Sequence, residues 1–227
     1  THKADEKKLR SLEKSQAMRE TLLFKFLLYS HIASGMLSLV SGAIPMALEK
    51  GGKLHRRAGL VFVIAMVIVA LSAFSISVIT DNKFLLAVAV FSFYMNYMGF
   101  RVLKNREYKF SWYDWLVVGA AAVIAAYMVS TLNTVLLVFG SILALMIVQD
   151  VGKQLRGPEV LKQARRMRIL QHISRMVGTY IATVTAFLVV NVKNVNPAWL
   201  PWLLPTFIGT PFIIYWSLKW RKKLARP

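Results

Sequence analysis

The chain contains no cysteine among its 227 residues. That absence removes disulfides, thiolate nucleophiles and Cys-ligated zinc or iron–sulfur centres. Acids are also scarce, 10 Asp and Glu against 29 Lys and Arg. Asp81, Asp114, Asp150 and Glu49 all fall at the ends of apolar stretches, so no carboxylate is expected in the middle of one and the site chemistry falls to histidine. No linker rich in Gly, Pro or Ser and no low-complexity segment breaks the chain, which reads as one domain. Residues 1–20 are polar, and the first apolar run is longer than a signal-peptide core. That run is expected to insert and stay.

What the chain has in quantity is apolar length. Its hydrophobic fraction is 56% and its mean hydropathy +0.51, more than a soluble chain of this length can cover with polar surface. Seven stretches, at 21–48, 58–80, 84–103, 115–132, 134–150, 173–192 and 199–218, each approach the ~20 residues a helix needs to cross the hydrocarbon core. The expectation is an all-α, polytopic transmembrane bundle of seven spans over residues 21–220. It is flanked by a polar tail (1–20) and a basic tail (221–227), with the lipid bilayer as partner. The net charge of +19 does not imply nucleic acid, because the cations flank the spans, where anionic headgroups and the orientation rule account for them.

Of the 29 Lys and Arg, 20 fall at 50–57, 101–109, 153–175 and 219–226, on one side of a seven-span arrangement. The positive-inside rule makes that side cytoplasmic, placing the C-terminus inside and the N-terminus outside a bacterial inner membrane. Trp199 and Trp202 then mark the outer end of span seven, Trp216 and Trp220 its inner end, and Trp112 and Trp115 the inner end of span four. Leu9, Leu12 and Met18 among alternating charges suit a surface helix. In 151–171, Pro158 is suited to open a helix. Val160, Leu161, Ala164, Met167 and Leu170 recur there at helical spacing beside Arg165, Arg166 and Arg168, as in an amphipathic helix on the inner leaflet. Its basic face is either simply solvated or bound to an acidic lipid or partner. Pro201, Pro205, Gly209 and Pro211 predict a bend in span seven.

His31 is the deepest ionisable group, about ten residues into span one. Ser34, Gly35, Ser38, Ser41, Gly42 and Pro45 share its face. Two readings remain open: close helix packing through small residues, or a slot for a flat cofactor, a quinone or a file of waters, with His31 as ligand or proton carrier. His55 and His172 stand at the cytoplasmic entrances of their spans, in Leu54-His55-Arg56-Arg57-Ala58-Gly59 and His172-Ile173-Ser174-Arg175-Met176-Val177-Gly178-Thr179-Tyr180. Either they are interfacial residues bonded to phosphate or carbonyls, or they are paired axial ligands of a haem. In the latter case Arg56, Arg57 and Arg175 would face its propionates. His31 lies roughly 25 Å from that depth at 1.5 Å per residue, too far to share a metal with the pair.

His31, Gly35 and Gly42, the run His55-Arg56-x-x-Gly59, and His172 with Met176, Tyr180 and Thr183 together resemble an uncharacterised family of bacterial seven-helix membrane proteins, a domain of unknown function, over about residues 25–215. The chain departs from that pattern at Phe62, where tyrosine is expected, and at Arg175 and Gly178, where relatives often carry tryptophan and arginine. More distantly, the histidine-plus-glycine helices look like those of membrane b-type cytochromes. Leu54-His55-Arg56-x-x-Gly59 is similar to the His-Arg motif near the quinone site of succinate dehydrogenase anchor subunits. The likeness implies haem b with His55 and His172 as metal ligands, and Arg56, Arg175, Gly35, Gly59 and His31 at cofactor or quinone sites. The function expected is b-type cytochrome-like or quinone-linked electron transfer to a redox partner. The alternatives are a proton-coupled transporter or channel using His31, with Asn96 as a polar neighbour, or an accessory subunit of a larger membrane complex without a site of its own. No catalytic residue is assigned.

Overall fold

The computed structural model describes residues 2–105 and 107–225, without the side chains of residues 2–20, 165 and 225. The surface-helix reading of Leu9, Leu12 and Met18, the Arg165 side chain, and Arg226 and Pro227 of the basic tail lie outside the described residues. Among the described residues eight helices follow one another: α1 (His2–Ala47), α2 (Lys53–Ile79), α3 (Lys83–Lys104), α4 (Trp112–Ser130), α5 (Thr134–Leu155), α6 (Pro158–Arg166), α7 (Arg168–Asn191) and α8 (Leu200–Ala225). The described residues contain no strand. This is the all-helical membrane architecture expected from hydropathy, since in lipid only a helix satisfies its own backbone.

The helix starts are written in the sequence. Asn82 accepts from Leu85 N–H, Asn133 accepts from Val135 and Leu136 N–H, and Ser111 forms a capping box with Asp114. Gly51 and Gly157 make the turns after α1 and α5 at φ +86° and +91°, a region that costs a residue with a Cβ. Short connections leave consecutive long helices antiparallel, with most of the described basic residues toward one end of the bundle.

Among the described residues, six helices are long and apolar enough to cross a membrane: 21–47 of α1, then α2, α3, α4, α5 and α7. The expected seventh span is the helix α8. It carries Pro205 and Pro211 inside it, with Trp, Tyr, Thr and Ser among its apolar residues, and is not one of those six. Several helices overrun their apolar stretches at the basic end. α2 begins at Lys53, not 58; α4 at Trp112, not 115; α5 runs to Leu155, not 150; and α7 begins at Arg168, not 173. Lys and Arg continue a helix readily and carry their charge out along a flexible stem, so the end of hydropathy is not the end of the helix. The segment 151–171 is accordingly no single amphipathic helix. It contributes to α5 and α7, and only α6, opened by Pro158 as expected, stands between them.

α3 is the central helix, in contact with α2, α4, α5 and α7. Its Phe91, Tyr94, Met95 and Met98 pack with Ala121, Ala125 and Met128 of α4 and Phe139 and Leu143 of α5. Small residues set the close approaches. A Cβ on Gly140 would come within 2.6 Å of Met128 Cβ, and one on Gly99 within 2.8 Å of Arg175 Cβ on α7. In a bilayer such contact replaces the hydrophobic effect as the source of helix association.

Candidate functional site

The basic end of the bundle holds a cavity of about 590 Å³ between α1, α2, α3, α7 and α8, a size in the range of small-molecule and cofactor sites. Its body is apolar: Leu60, Phe62 and Val63 from α2, Ile173, Met176 and Val177 from α7, with Phe100 and Phe212. His55 and His172 both line it, as do Lys50, Arg56 and Lys104. The two histidines, 117 positions apart in sequence, therefore line one space.

Each imidazole is oriented by a backbone carbonyl. His55 Nδ1–H donates to Pro45 O at 3.1 Å, and His172 Nδ1–H donates to Gly99 O at 2.8 Å. A carbonyl only accepts, so Nδ1 holds the proton and Nε2 keeps its lone pair. Gly99 makes the second bond feasible, because α7 lies too near α3 at that point for a side chain on residue 99. Gly42 does the same for the cavity wall: a Cβ there would fall 2.5 Å from the Tyr180 ring and 2.8 Å from Phe62, which are in edge contact.

At the mouth, Lys50 Nζ donates to the Pro45 and Met46 carbonyls at 2.8 and 2.6 Å, closing the C-terminus of α1. It also lies 4.7 Å from the Trp216 ring centroid. Burial pushes its ammonium below the usual lysine range. Arg56 and Lys104 are exposed beside it. An apolar body with a cationic rim suits a flat apolar ligand with anionic groups at one edge.

Arg175 does not join that rim. It is 3% exposed and faces away from the cavity, its Nη2 donating to Asp150 Oδ2 at 2.9 Å. The same carboxylate, 1% exposed, accepts from Tyr94 Oη at 2.9 Å and Gln171 Nε2 at 2.9 Å, with Lys153 Nζ at 3.5 Å. Tyr108, from the α3–α4 loop, donates to Gln171 Oε1, and burial raises its phenol well above the ordinary range. Arg175 Nε, although buried, has no partner. A parallel group lies alongside. Asp114, fully buried, takes two bonds from Arg101, at 3.0 and 3.1 Å, and one from Tyr97. The span-end acids Asp114 and Asp150 are thus core residues of the protein. A void of about 20 Å³ between Arg101, Asn105, Asp150 and Gln171 separates the two groups and has room for one water.

Reading the sequence missed both groups, because a charge near a span end looks like a headgroup anchor. The available signal was the spacing of Gln171, Arg175 and Thr179 on one face of α7, opposite an acid at the end of span five.

Two further expected residues do not line the cavity. His31 Nδ1–H is shared between Val69 O (3.2 Å) and Ser72 Oγ (3.1 Å) on α2. Gly35 has no neighbour within 4 Å of the place a Cβ would take. Ser34, Ser38 and Ser41 are buried, and each hydroxyl donates to a carbonyl of its own helix. Asn96 donates to Val63 O on α2, not toward His31. Gly59 does line the cavity, in ordinary contact with Pro45. Among the described residues, no three His, Asp or Glu side chains converge as a metal site.

No curated protein and no solved structure matches the chain. Residues 28–155, more than half of the sequence, match the family model described as "Predicted membrane protein (DUF2306)", and the chain belongs to that family.

Proposed function

We propose that this membrane protein is a b-type cytochrome-like electron-transfer protein that holds haem b in the cavity, with His55 and His172 as the two axial ligands. The observation that carries the reading is the shared cavity, in which both imidazoles have Nδ1 anchored on a carbonyl and Nε2 free. Metal-ligating histidines characteristically donate their other N–H to a carbonyl, carboxylate or water. Two neutral imidazoles on separate helices suit an iron in a macrocycle. Lys50, Arg56 and Lys104 take the propionate edge, with Lys50 and Lys104 replacing Arg175 in that role. Haem would supply one-electron chemistry, with a quinone or protein as redox partner. The basic end is the cytoplasmic face of a bacterial inner membrane in this reading, following the distribution of Lys and Arg.

Of the cavity's histidines, His55 lies inside the family-matched stretch and His172 outside it. The other functional readings have less support. A proton path along span one gains nothing from serines that bond back into their own helix, and an accessory role without a site leaves the cavity unexplained.

The experiment is the visible spectrum of the purified protein, oxidised and reduced. A Soret band that is lost in both His55→Ala and His172→Ala, with membrane insertion intact, is the expected result. A protein that stays colourless when expressed and purified with added haem, or a Soret band unchanged in both variants, ends the haem assignment.

A further inference from the structure

α7 presents two faces to the bundle, each at four-residue spacing. His172, Met176 and Tyr180 line the cavity. Gln171 and Arg175, one position earlier on each turn and so about 100° round the helix, end on the Asp150 carboxylate. Asp150 thereby grips α7 on both sides of His172 in sequence, at the residue before it and the third residue after it. It also holds α3 through Tyr94, 2.9 Å away. α3 supplies the Gly99 carbonyl that orients His172. One buried carboxylate on α5 thus ties together the helix bearing the histidine and the helix bearing the acceptor of its proton.

The geometry points to Asp150 as the positioning residue for His172. By fixing the rotation of α7 against α3, it sets the Nδ1–H bond to Gly99 and so the direction in which Nε2 enters the cavity. Its consequence for haem rests on the reading above; its effect on the imidazole does not. A rotation of α7 by a few degrees carries the side chain with it. Among the contacts restraining that rotation, beside the packing of α7 on its neighbours, are directional bonds to a single group, 1% exposed, in a region where an uncompensated charge is costly to hold. A purely structural ion pair would stabilise the bundle without caring which way the neighbouring ring points.

The test uses the full chain. Its four histidines make selective ¹⁵N-histidine labelling readable, ring by ring. In the unaltered protein prepared without haem, His172 should show a protonated Nδ1 and a bare Nε2. Asp150→Asn should erase that preference, giving mixed tautomers, whereas Asp150→Glu should restore it in part. In the haem-loaded protein, Asp150→Asn should weaken haem retention about 10–100-fold, the range seen when outer-shell partners of metal ligands are removed. It should also shift the low-spin ferric resonance signals, which report ring orientation. If Asp150→Asn leaves Arg175 stranded and the protein unfolds, the double variant Asp150→Asn/Arg175→Gln removes both charges together and is read the same way.

A His172 tautomer that is lost in a colourless protein supports the positioning role and ends the haem reading. An unchanged tautomer in haem-free Asp150→Asn, or in the haem-free double variant, overturns the positioning role.

Discussion

A methyl group placed on Gly99 tests how tightly α3 and α7 are held together. The added Cβ would stand 2.7 Å from Met176 Sδ and 2.8 Å from Arg175 Cβ. Methionine's sulfur can swing aside, but the Arg175 Cβ moves only with the helix backbone, so the helices must part by several tenths of an ångström. That separation strains the 2.8 Å bond from His172 to Gly99 O and the 2.9 Å contact of Arg175 with Asp150. Overpacking of this kind costs about 1–3 kcal/mol, against a helix-propensity gain of up to about 1 kcal/mol for Gly to Ala. Gly119→Ala and Gly35→Ala, where a Cβ meets nothing within 4 Å, carry the propensity gain alone and set the baseline. For a chain of this size, 1 kcal/mol corresponds to roughly 2–4 °C in Tm. Gly99→Ala should therefore melt on the order of 2–12 °C below Gly119→Ala in detergent, followed by near-ultraviolet circular dichroism of its six Trp. Equal melting temperatures for Gly99→Ala and Gly119→Ala would show that α7 shifts off α3 without penalty, and the close approach would lose its significance.

Tyr108 gives a pH dependence. Its folded-state phenol ionises above the ordinary tyrosine value of 10.0, so it contributes stability that is complete below that value and declines as pH rises past it, where the unfolded chain releases the proton first. The stability advantage of wild type over Tyr108→Phe should shrink between pH 10 and 11 in denaturant titrations; a constant gap would show that the phenol is not buried as described. Topology separates six spans from seven: reporters at the two termini should read opposite sides, with the C-terminal one cytoplasmic, and reporters on the same side would mean that α8 does not cross.

The fold class was legible because hydropathy over ~20 residues measures what a lipid-crossing helix must satisfy. Helix ends were less legible, since Lys53, Lys153 and Arg168 prolong helices after the apolar run has stopped. At the site, His55 and His172 were recognisable as histidines at one end of their spans, and the shared cavity follows from the antiparallel connections. The rim was only half legible. Arg56 could be placed from its position beside His55, but Lys50 lies in a turn, and its approach depends on the end of α1. Arg175 was misplaced because its partner is 25 residues away on another helix, and local sequence carries no record of that pairing. Ser34, Ser38 and Ser41 were correctly read as one face. Their hydroxyls turn inward to their own backbone, an orientation that periodicity alone does not distinguish from a channel lining.

Tyr94 and Tyr97, one turn apart on α3, each engage a different buried aspartate, and each aspartate engages a different arginine. The middle helix is consequently pinned through its C-terminal half, from Tyr94 to Arg101, and packed along the half before it. Slow amide exchange should therefore persist longest around residues 94–102 and fade toward residue 83, so that opening fluctuations begin at the far tips of α2 and α3. Such an exchange pattern would be that of a fan held at its handle.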